Sequence, residues 1–171
     1  MSVYVCADAQ LFKNNDSENT FIQEWNKRVD FGDIVLILGE FSCGNECQTK
    51  SLISQLKGEL YIIDYSDSSP SKKFSKEKWQ SFGIYKVWCG GAMPIGIING
   101  KKQGVVIAVT KDELQSKDIK YFAAAKSLTG SEKKYEKHIL NLSIEHWGRV
   151  PISYKKIPQL IDNILKHSKE D

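Results

Sequence analysis

Two patterns of apolar residues organise the first third of this chain. Uninterrupted apolar runs, typical of strands that are buried on both faces of a sheet, stand at residues 3–7, 34–38 and 60–63. Between these runs, apolar residues recur at the spacing of a helix face, first at Phe21, Ile22, Trp25 and Val29 and then at Leu52, Ile53 and Leu56. The alternation predicts a β-α-β-α-β unit in which parallel strands are joined by right-handed crossovers.

The second half of the chain has a different pattern. Short apolar runs follow one another closely, at residues 84–88, 93–98, 105–109, 121–125 and 138–144. The turn dipeptides Gly90-Gly91 and Asn99-Gly100 separate some of these runs, and Asn-Gly is a strong hairpin signal. This half is therefore predicted to be antiparallel, and Pro158 is placed in the first turn of a closing helix. Because no linker or repeat divides the chain, residues 1–171 are predicted to form one mixed α/β domain.

Three of the early runs are followed by an acid. Asp8 and Asp64 come directly after the first and third runs, and Glu40 stands one glycine beyond the second. Open parallel sheets bind their ligands at the carboxyl ends of the strands. The sequence therefore predicts that these carboxylates open into one cleft.

Composition narrows the choice of partners and compartment. The chain has 171 residues and a formal net charge of +3 with interleaved signs, so neither nucleic acid nor a membrane surface is indicated. No apolar run approaches the ~20 residues that span a bilayer, and the N-terminus lacks the regions of a signal peptide. Four cysteines without a secretion signal predict reduced thiols and a cytoplasmic protein.

Cysteines offer a further candidate site. Cys43 and Cys47 have three residues between them and follow Glu40 closely, a spacing that could form half of a zinc or redox site. No second Cys or His pair accompanies them, so free thiols are the favoured interpretation. A replacement site built from Asp8, Glu40 and Cys43 remains an alternative. The isolated histidines are interpreted as surface or structural residues, and they are His138, His146 and His167.

Several motifs resemble those of the calcineurin-like metallophosphoesterases, in particular their small bacterial single-domain members. Residues 5–10, Val-Cys-Ala-Asp-Ala-Gln, lie where that family has Asp-x-His, and residues 38–41, Leu-Gly-Glu-Phe, resemble its Leu-Gly-Asp-Phe. Residues 141–147 resemble its closing strand. The resemblance covers nearly the whole chain and implies two mixed β-sheets packed as a sandwich with flanking helices, a four-layer α/β/β/α fold. It also implies two metal ions that activate a water for attack on a phosphoester.

The first two metal-binding motifs depart from the family. Asp8 keeps the first acid, whereas Gln10 replaces the histidine that follows it and Glu40 replaces the metal-bridging aspartate. Two dications about 3.5–4 Å apart need several anionic and imidazole ligands. An amide is a poor substitute for imidazole on a transition metal. Two carboxylates are left from a ligand set that ordinarily includes several histidines.

The later motifs depart further. The family's Gly-Asn-His-Asp corresponds to residues 64–67, so Tyr65, Ser66 and Asp67 stand at the implied Asn-His-Asp. Tyr65 would bind metal only when deprotonated, against an ordinary pKa of about 10. The final Gly-His-x-His falls on residues 123–126, which end in Lys126. A lysine there would repel a metal ion, and we expect it to pair with the acids of the cleft instead.

These replacements favour a vestigial cleft, formed by Asp8, Gln10, Glu40, Tyr65, Ser66, Asp67 and Lys126. The sequence predicts a pseudoenzyme, a catalytically degenerate metallophosphoesterase-like protein that needs no cofactor and binds an unknown protein or small molecule. One alternative is a residual phosphoesterase that holds a single divalent ion (Mn, Zn or Fe) at Asp8 and Glu40. The other is a structural or assembly protein whose cleft is filled. The fold alone does not decide among them.

Overall fold

The structure is a computed structural model. It describes residues 1–7, 9–13, 18–64, 74–89, 92–95, 105–110, 121–126, 135–136, 139–141 and 150–167. For the described residues between 88 and 149 it gives the backbone alone. In chain order the elements are β1 (Val3–Ala7), α1 (Glu18–Arg28), β2 (Ile34–Leu38), α2 (Glu46–Ile53), β3 (Glu59–Asp64), α3 (Lys76–Ser81), β4 (Lys86–Cys89), β5 (Ala92–Ile95), β6 (Val105–Thr110), β7 (Tyr121–Lys126), β8 (Tyr135–Glu136), β9 (Ile139–Asn141), β10 (Ile152–Ser153) and α4 (Lys156–His167).

The first sheet has the strand order β10-β1-β2-β3-β4. Strands β1 to β4 pair in parallel, in a register that sets Val5 beside Leu36 and Leu36 beside Tyr61. The short strand β10 pairs antiparallel with β1 at the outer edge. The predicted β-α-β-α-β unit is therefore confirmed, since each apolar run forms a strand and each periodic segment forms the helix between two strands.

The second sheet has the strand order β5-β6-β7-β9-β8. Strand β5 runs antiparallel to β6, as the Asn99-Gly100 signal predicts, but β6, β7 and β9 pair in parallel. The prediction of an antiparallel second half is wrong for these three strands. An Asn-Gly turn sets the direction of the two strands that flank it, and it carries no information about strands farther along the chain.

The Gly90-Gly91 dipeptide separates two runs of the half predicted to be antiparallel, and the prediction is wrong there too, because the flanking strands do not pair with each other. Strand β4 pairs in parallel with β3 at the edge of the first sheet, whereas β5 belongs to the second sheet. Consecutive glycines permit a tight reversal, and they equally permit the chain to leave one sheet for another. Cys89 therefore ends a parallel strand, beside Asp64 of β3.

The main core lies between the first sheet and the helices α1, α2 and α3. Trp25 of α1 and Leu52 of α2 are at most 2% exposed, and they belong to one cluster with Val35, Ile37 and Ile62 of the sheet. Side chains two residues apart along a strand share a face, so this cluster covers one face of β2. The predicted apolar stripes of the two helices are therefore the surfaces that they bury.

The opposite face of the first sheet is buried as well. Side chains alternate between the two faces along each strand, so four apolar residues point away from the helices. Each is at most 4% exposed, and they are Val5, Leu36, Leu38 and Ile63. Helix α4 contacts β10 of the first sheet and also β7 and β9 of the second, and β3 approaches β6. The α/β class is confirmed, and the packing of the sheets as a four-layer sandwich stays a prediction.

In the part of the chain that the structure describes, no helix combines the length and the apolar character that crossing a bilayer requires.

Candidate functional site

The carboxyl edge of the first sheet brings together the segments that follow β1 and β2. Parallel pairing sets Ala7 beside Leu38 and Leu38 beside Ile63, so three neighbouring strands end at the same edge. Gln10 and Glu40 lie just beyond this edge, and both side chains are half-buried. The prediction that Glu40 follows a buried strand at the ligand-binding edge of a parallel sheet is confirmed for its position.

Backbone hydrogen bonds hold the two segments side by side. The N–H of Gln10 donates to the carbonyl of Glu40 at 3.0 Å, and that of Leu11 donates to the carbonyl of Phe41 at 3.1 Å. The N–H of Cys43 then donates to the carbonyl of Leu11 at 2.7 Å. The two segments therefore continue the parallel pairing past the sheet, and this pairing fixes the distance between the backbones of Gln10 and Glu40.

The segment after β1 carries two residues in the left-handed region. Gln10 has φ of 45° and Phe12 has φ of 65°, although neither is glycine. A non-glycine residue in this region costs about 1–3 kcal/mol and persists only when its surroundings determine it. Here the determinants are the backbone bonds to the neighbouring segment and Leu11, which stands between the two residues and is 0% exposed. Strained residues of this kind cluster at binding and catalytic sites.

The side chain of Gln10 is already engaged. The ammonium of Lys13 donates to its Oε1 at 2.8 Å. The bond is exposed and adds little stability. Its importance is chemical, because it uses an acceptor of the amide and holds a positive charge where the resembled family has a metal-binding imidazole.

The segment after β2 is braced against the start of α2. The hydroxyls of Ser42 and Thr49 are 2.8 Å apart and both residues are buried, and the N–H of Gly44 donates to the Ser42 Oγ at 3.2 Å. Asn45 caps the helix and forms a reciprocal capping box with Gln48. These bonds satisfy polar groups that would otherwise be left unpaired at the helix end, and they make this side of the edge rigid.

Cysteines line this segment as thiols. Cys6, Cys43 and Cys47 carry thiols that form no disulfide, with Cys6 buried, Cys43 half-buried and Cys47 exposed. The prediction of reduced cysteines agrees with the structure for these three residues. Within the described residues no group of three or more His, Cys, Asp or Glu side chains could hold a metal ion.

The structure brings together two members of the predicted vestigial cleft, Gln10 and Glu40. Four others, Asp8, Tyr65, Ser66 and Asp67, lie outside the described residues. The backbone of Lys126 is described as the last residue of β7, beside Thr110, and its side chain lies outside the description. Residues 123–125, matched to a metal-binding loop, belong to the strand β7.

Sequence reasoning missed Lys13 and the conformation of Phe12. Lys13 lies in a polar segment where lysine carries no distinguishing signal. The ring of Phe12 packs over Gly44, and a Cβ added to that glycine would lie 2.6 Å from Phe12 Cδ2. A glycine at the entrance of a helix was the available hint of a close contact.

The donor groups described at this edge do not fit a pair of divalent metal ions. They comprise one carboxylate, that of Glu40, the thiol of Cys43, and the amide of Gln10, whose oxygen is bonded to an ammonium. A metal pair needs several anionic or imidazole ligands. The ammonium would also repel the cations.

No family model and no curated protein matches this chain. Among solved structures it is similar to the crystal structure of the protein of unknown function AQ665 from Aquifex aeolicus, with a TM-score of 0.68 and 14% sequence identity. The similarity covers 93% of this chain and 98% of that one. At this identity the similarity shows a shared fold along nearly the whole length of both proteins.

Proposed function

We propose that this chain is a metallophosphoesterase-like domain that has lost its metal site and acts by binding a protein or small molecule at the carboxyl edge of its first sheet. We also place it in the cytoplasm, which suits a protein with several free thiols. The proposal has three parts, namely the sandwich fold, the loss of metal and the retained binding surface.

The sandwich fold is supported by burial on the far side of the first sheet. Leu36, Leu38 and Ile63 are at most 4% exposed on the face that the helices α1 to α3 leave uncovered. A second layer must exclude water from these side chains, and the second sheet approaches there through β6. Two sheets packed face to face, with helices outside both, are the simplest arrangement that accounts for this burial.

The observation that carries the proposed loss of metal is the bond between Lys13 and Gln10. The ammonium lies 2.8 Å from the amide oxygen, at the position of an implied histidine ligand. Coulomb repulsion between an ammonium and a dication opposes metal binding, and the neutral amide cannot compensate for it.

Retained binding is supported by the strain that the edge keeps. The left-handed residues Gln10 and Phe12 would be relaxed by glycine, yet paired backbone segments and a buried Leu11 hold them in place. Loops positioned by a rigid scaffold are the usual carriers of binding surfaces. We infer that the conformation of this loop serves a ligand.

The test combines metal analysis with an activity assay. The purified protein is expected to contain no stoichiometric Mn, Zn or Fe by mass spectrometry, and to leave bis(4-nitrophenyl) phosphate intact when Mn²⁺ is supplied. Turnover that disappears in an Asp8→Asn variant would overturn the proposal in favour of a residual phosphoesterase. An Asp30→Asn variant is the matched control, because its carboxylate is exposed and lies at the other edge of the sheet.

A further inference from the structure

A second cleft lies at the outer edge of the first sheet, away from the carboxyl edge. It is formed where β10 pairs with β1, between the end of α1 and the start of α4, and its volume is about 670 Å³. Sites for small molecules commonly occupy roughly 300–1,000 Å³. Tyr4 lines this cleft and stands beside Ser153 of β10 in the register of the sheet.

Two positive charges from different elements converge on this cleft. Arg28 is the last residue of α1 and Lys156 is the first residue of α4, and both line the cleft. Neither forms an ion pair with another described residue, and the described lining residues include no carboxylate. Glu24, one turn before Arg28, interacts with the guanidinium from outside the lining, so the described walls themselves present a net positive charge.

The position of Lys156 argues against a purely structural role. A helix N-terminus carries a partial positive charge and is stabilised by acids, yet the first turn of α4 contains no acidic residue. A lysine at this position opposes the helix dipole. The dipole and the lysine together favour an anion that approaches from the cleft.

The remaining walls combine hydroxyl groups with apolar surface. Tyr4 and Ser153 are half-buried and supply hydroxyls beside the cations, whereas Ile152 and Leu160 supply half-buried apolar side chains. A ligand that satisfies both kinds of wall has an anionic group and an apolar body. Inorganic phosphate alone would use half of the surface.

We propose that this cleft binds a small organic anion, a phosphate, phosphonate or carboxylate carried on an apolar group. Arg28 and Lys156 contact the anion, the hydroxyls of Tyr4 and Ser153 donate to it, and Leu160 packs against the apolar body. Tyr4 precedes the end of β1 by three residues, which is about 10 Å along a strand. The cleft is therefore a site separate from the carboxyl edge, and it does not depend on the function proposed there.

The test uses phenylphosphonate, which a phosphoesterase does not hydrolyse, and titration calorimetry at low salt. We expect saturable binding at a stoichiometry of one, about tenfold tighter than that of inorganic phosphate because phosphate lacks the ring. Arg28→Gln and Lys156→Gln are each expected to weaken phenylphosphonate binding about tenfold. Leu160→Ala is expected to weaken phenylphosphonate but leave the affinity for inorganic phosphate unchanged.

Matched variants make the result decisive. Lys155→Gln removes the same charge from the adjacent exposed residue, which does not line the cleft, and should change the affinity less than twofold. Absence of saturable binding, or equal weakening by Lys155→Gln and Lys156→Gln, would overturn the proposal. Weakening by Gln10→Ala without an effect of Arg28→Gln would also overturn it, because the ligand would then occupy the carboxyl edge.

Discussion

The two edges of the first sheet are both held by hydrogen bonds, but they differ in backbone strain. At the amino edge the Asp33 carboxylate accepts hydrogen bonds from the backbone N–H groups of Ser2 at 2.6 Å and Asp30 at 3.0 Å. The Asp33 carbonyl accepts from the N–H of Glu59 at 2.7 Å. One residue therefore connects the beginnings of β1, β2 and β3.

Side chains from α1 reinforce the same edge. The indole N–H of Trp25 donates to the carbonyl of Lys57 at 2.9 Å, and the Oδ1 of Asn26 accepts from the N–H of Lys57 at 2.9 Å. These bonds tie the chain that enters β3 to the end of the helix. Buried and half-buried polar groups at this edge are satisfied by protein partners, which is how proteins secure a fold.

The carboxyl edge has paired segments too, but two of its residues are strained. Gln10 and Phe12 adopt left-handed conformations, and the Gln10 amide bonds to an exposed lysine. The difference between the edges therefore lies in the backbone strain that only the carboxyl edge shows at non-glycine residues among those described. Satisfied polar groups occur at both edges, since Asp33 lies where the strands begin and the Ser42–Thr49 pair lies where they end, but the strained residues Gln10 and Phe12 lie at the edge that parallel sheets use for ligands.

The largest expected loss of stability follows a substitution at the amino edge. Gly58 has φ of 96°, and a Cβ there would lie 2.8 Å from Val29 Cγ1 and 3.1 Å from the carbonyl oxygen of Asp33. Gly58→Ala combines a strained backbone with a clash in a packed region, so we expect a loss of about 2–4 kcal/mol in the free energy of unfolding. Urea denaturation measures it. Gly32→Ala is the control, since a Cβ there meets nothing within 4 Å. Equal effects of the two variants would contradict the tight packing of this edge.

The next largest loss of stability is expected for Asp33→Asn. This substitution keeps one acceptor oxygen of the side chain and removes its negative charge. The N–H of Asp30, and after it that of Ser2, lowers the pKa of Asp33, while burial opposes this shift. A lowered folded pKa means that the carboxylate stabilises the protein fully above its unfolded pKa of about 3.9, and that this contribution is lost as the pH falls through the folded value.

The urea midpoint of Asp33→Asn should therefore lie below that of the natural protein by a constant amount from pH 8 to pH 5. Below about pH 4 the difference should shrink. Asp30→Asn, at an exposed neighbouring residue, is the control and should show a smaller difference at pH 7. A difference for Asp33→Asn that persists unchanged to pH 2 would show that its carboxylate does not act through its charge.

The parallel strands of the first sheet could be predicted from the sequence because local patterns specify them, whereas the hydrogen bonds of Asp33 at the amino edge were not predicted. Apolar runs fix β1, β2 and β3, and the spacing of apolar residues fixes the buried faces of α1 and α2. The pairing of β6, β7 and β9 could not be predicted, since an apolar run indicates burial and does not name its neighbours. The two-residue strands β8 and β10 are too short to carry a period.

The carboxyl edge was predicted in part for a similar reason. The apolar run that ends at Leu38 indicated that Glu40 would lie at the carboxyl edge, and the resemblance placed Gln10 in the same cleft. The left-handed conformations of Gln10 and Phe12 have no sequence signal, since such conformations usually appear as glycine or asparagine. Contacts with a segment about thirty residues away hold them, and those contacts follow from the fold.

A smaller loss of stability is expected from a substitution where the carboxyl edge meets α2. A Cβ at Gly44 would lie 2.6 Å from Cδ2 and 2.9 Å from Cγ of the Phe12 ring, so the ring must move. Gly44→Ala should reduce the free energy of unfolding by about 1–3 kcal/mol. In a Phe12→Ala background the same change should cost less, because the obstructing ring is gone. Additive effects in this double-mutant cycle would show that the ring does not determine the loop.

The smallest expected difference in stability is that between two substitutions of Gln10, and measuring it tests the backbone strain directly. Both Gln10→Ala and Gln10→Gly remove the bond to Lys13, but only glycine relieves the left-handed conformation at φ of 45°. Relief of the left-handed strain is worth about 1–2 kcal/mol, and the extra flexibility of glycine in the unfolded chain offsets part of this gain. The glycine variant should therefore be more stable than the alanine variant by about 1 kcal/mol. Gln23, exposed in α1, is the control at which the order should reverse, with glycine less stable than alanine by about 0.5–1 kcal/mol. If alanine were the more stable substitution at both positions, Gln10 would be unstrained, and the contrast between the two edges would rest on Phe12 alone.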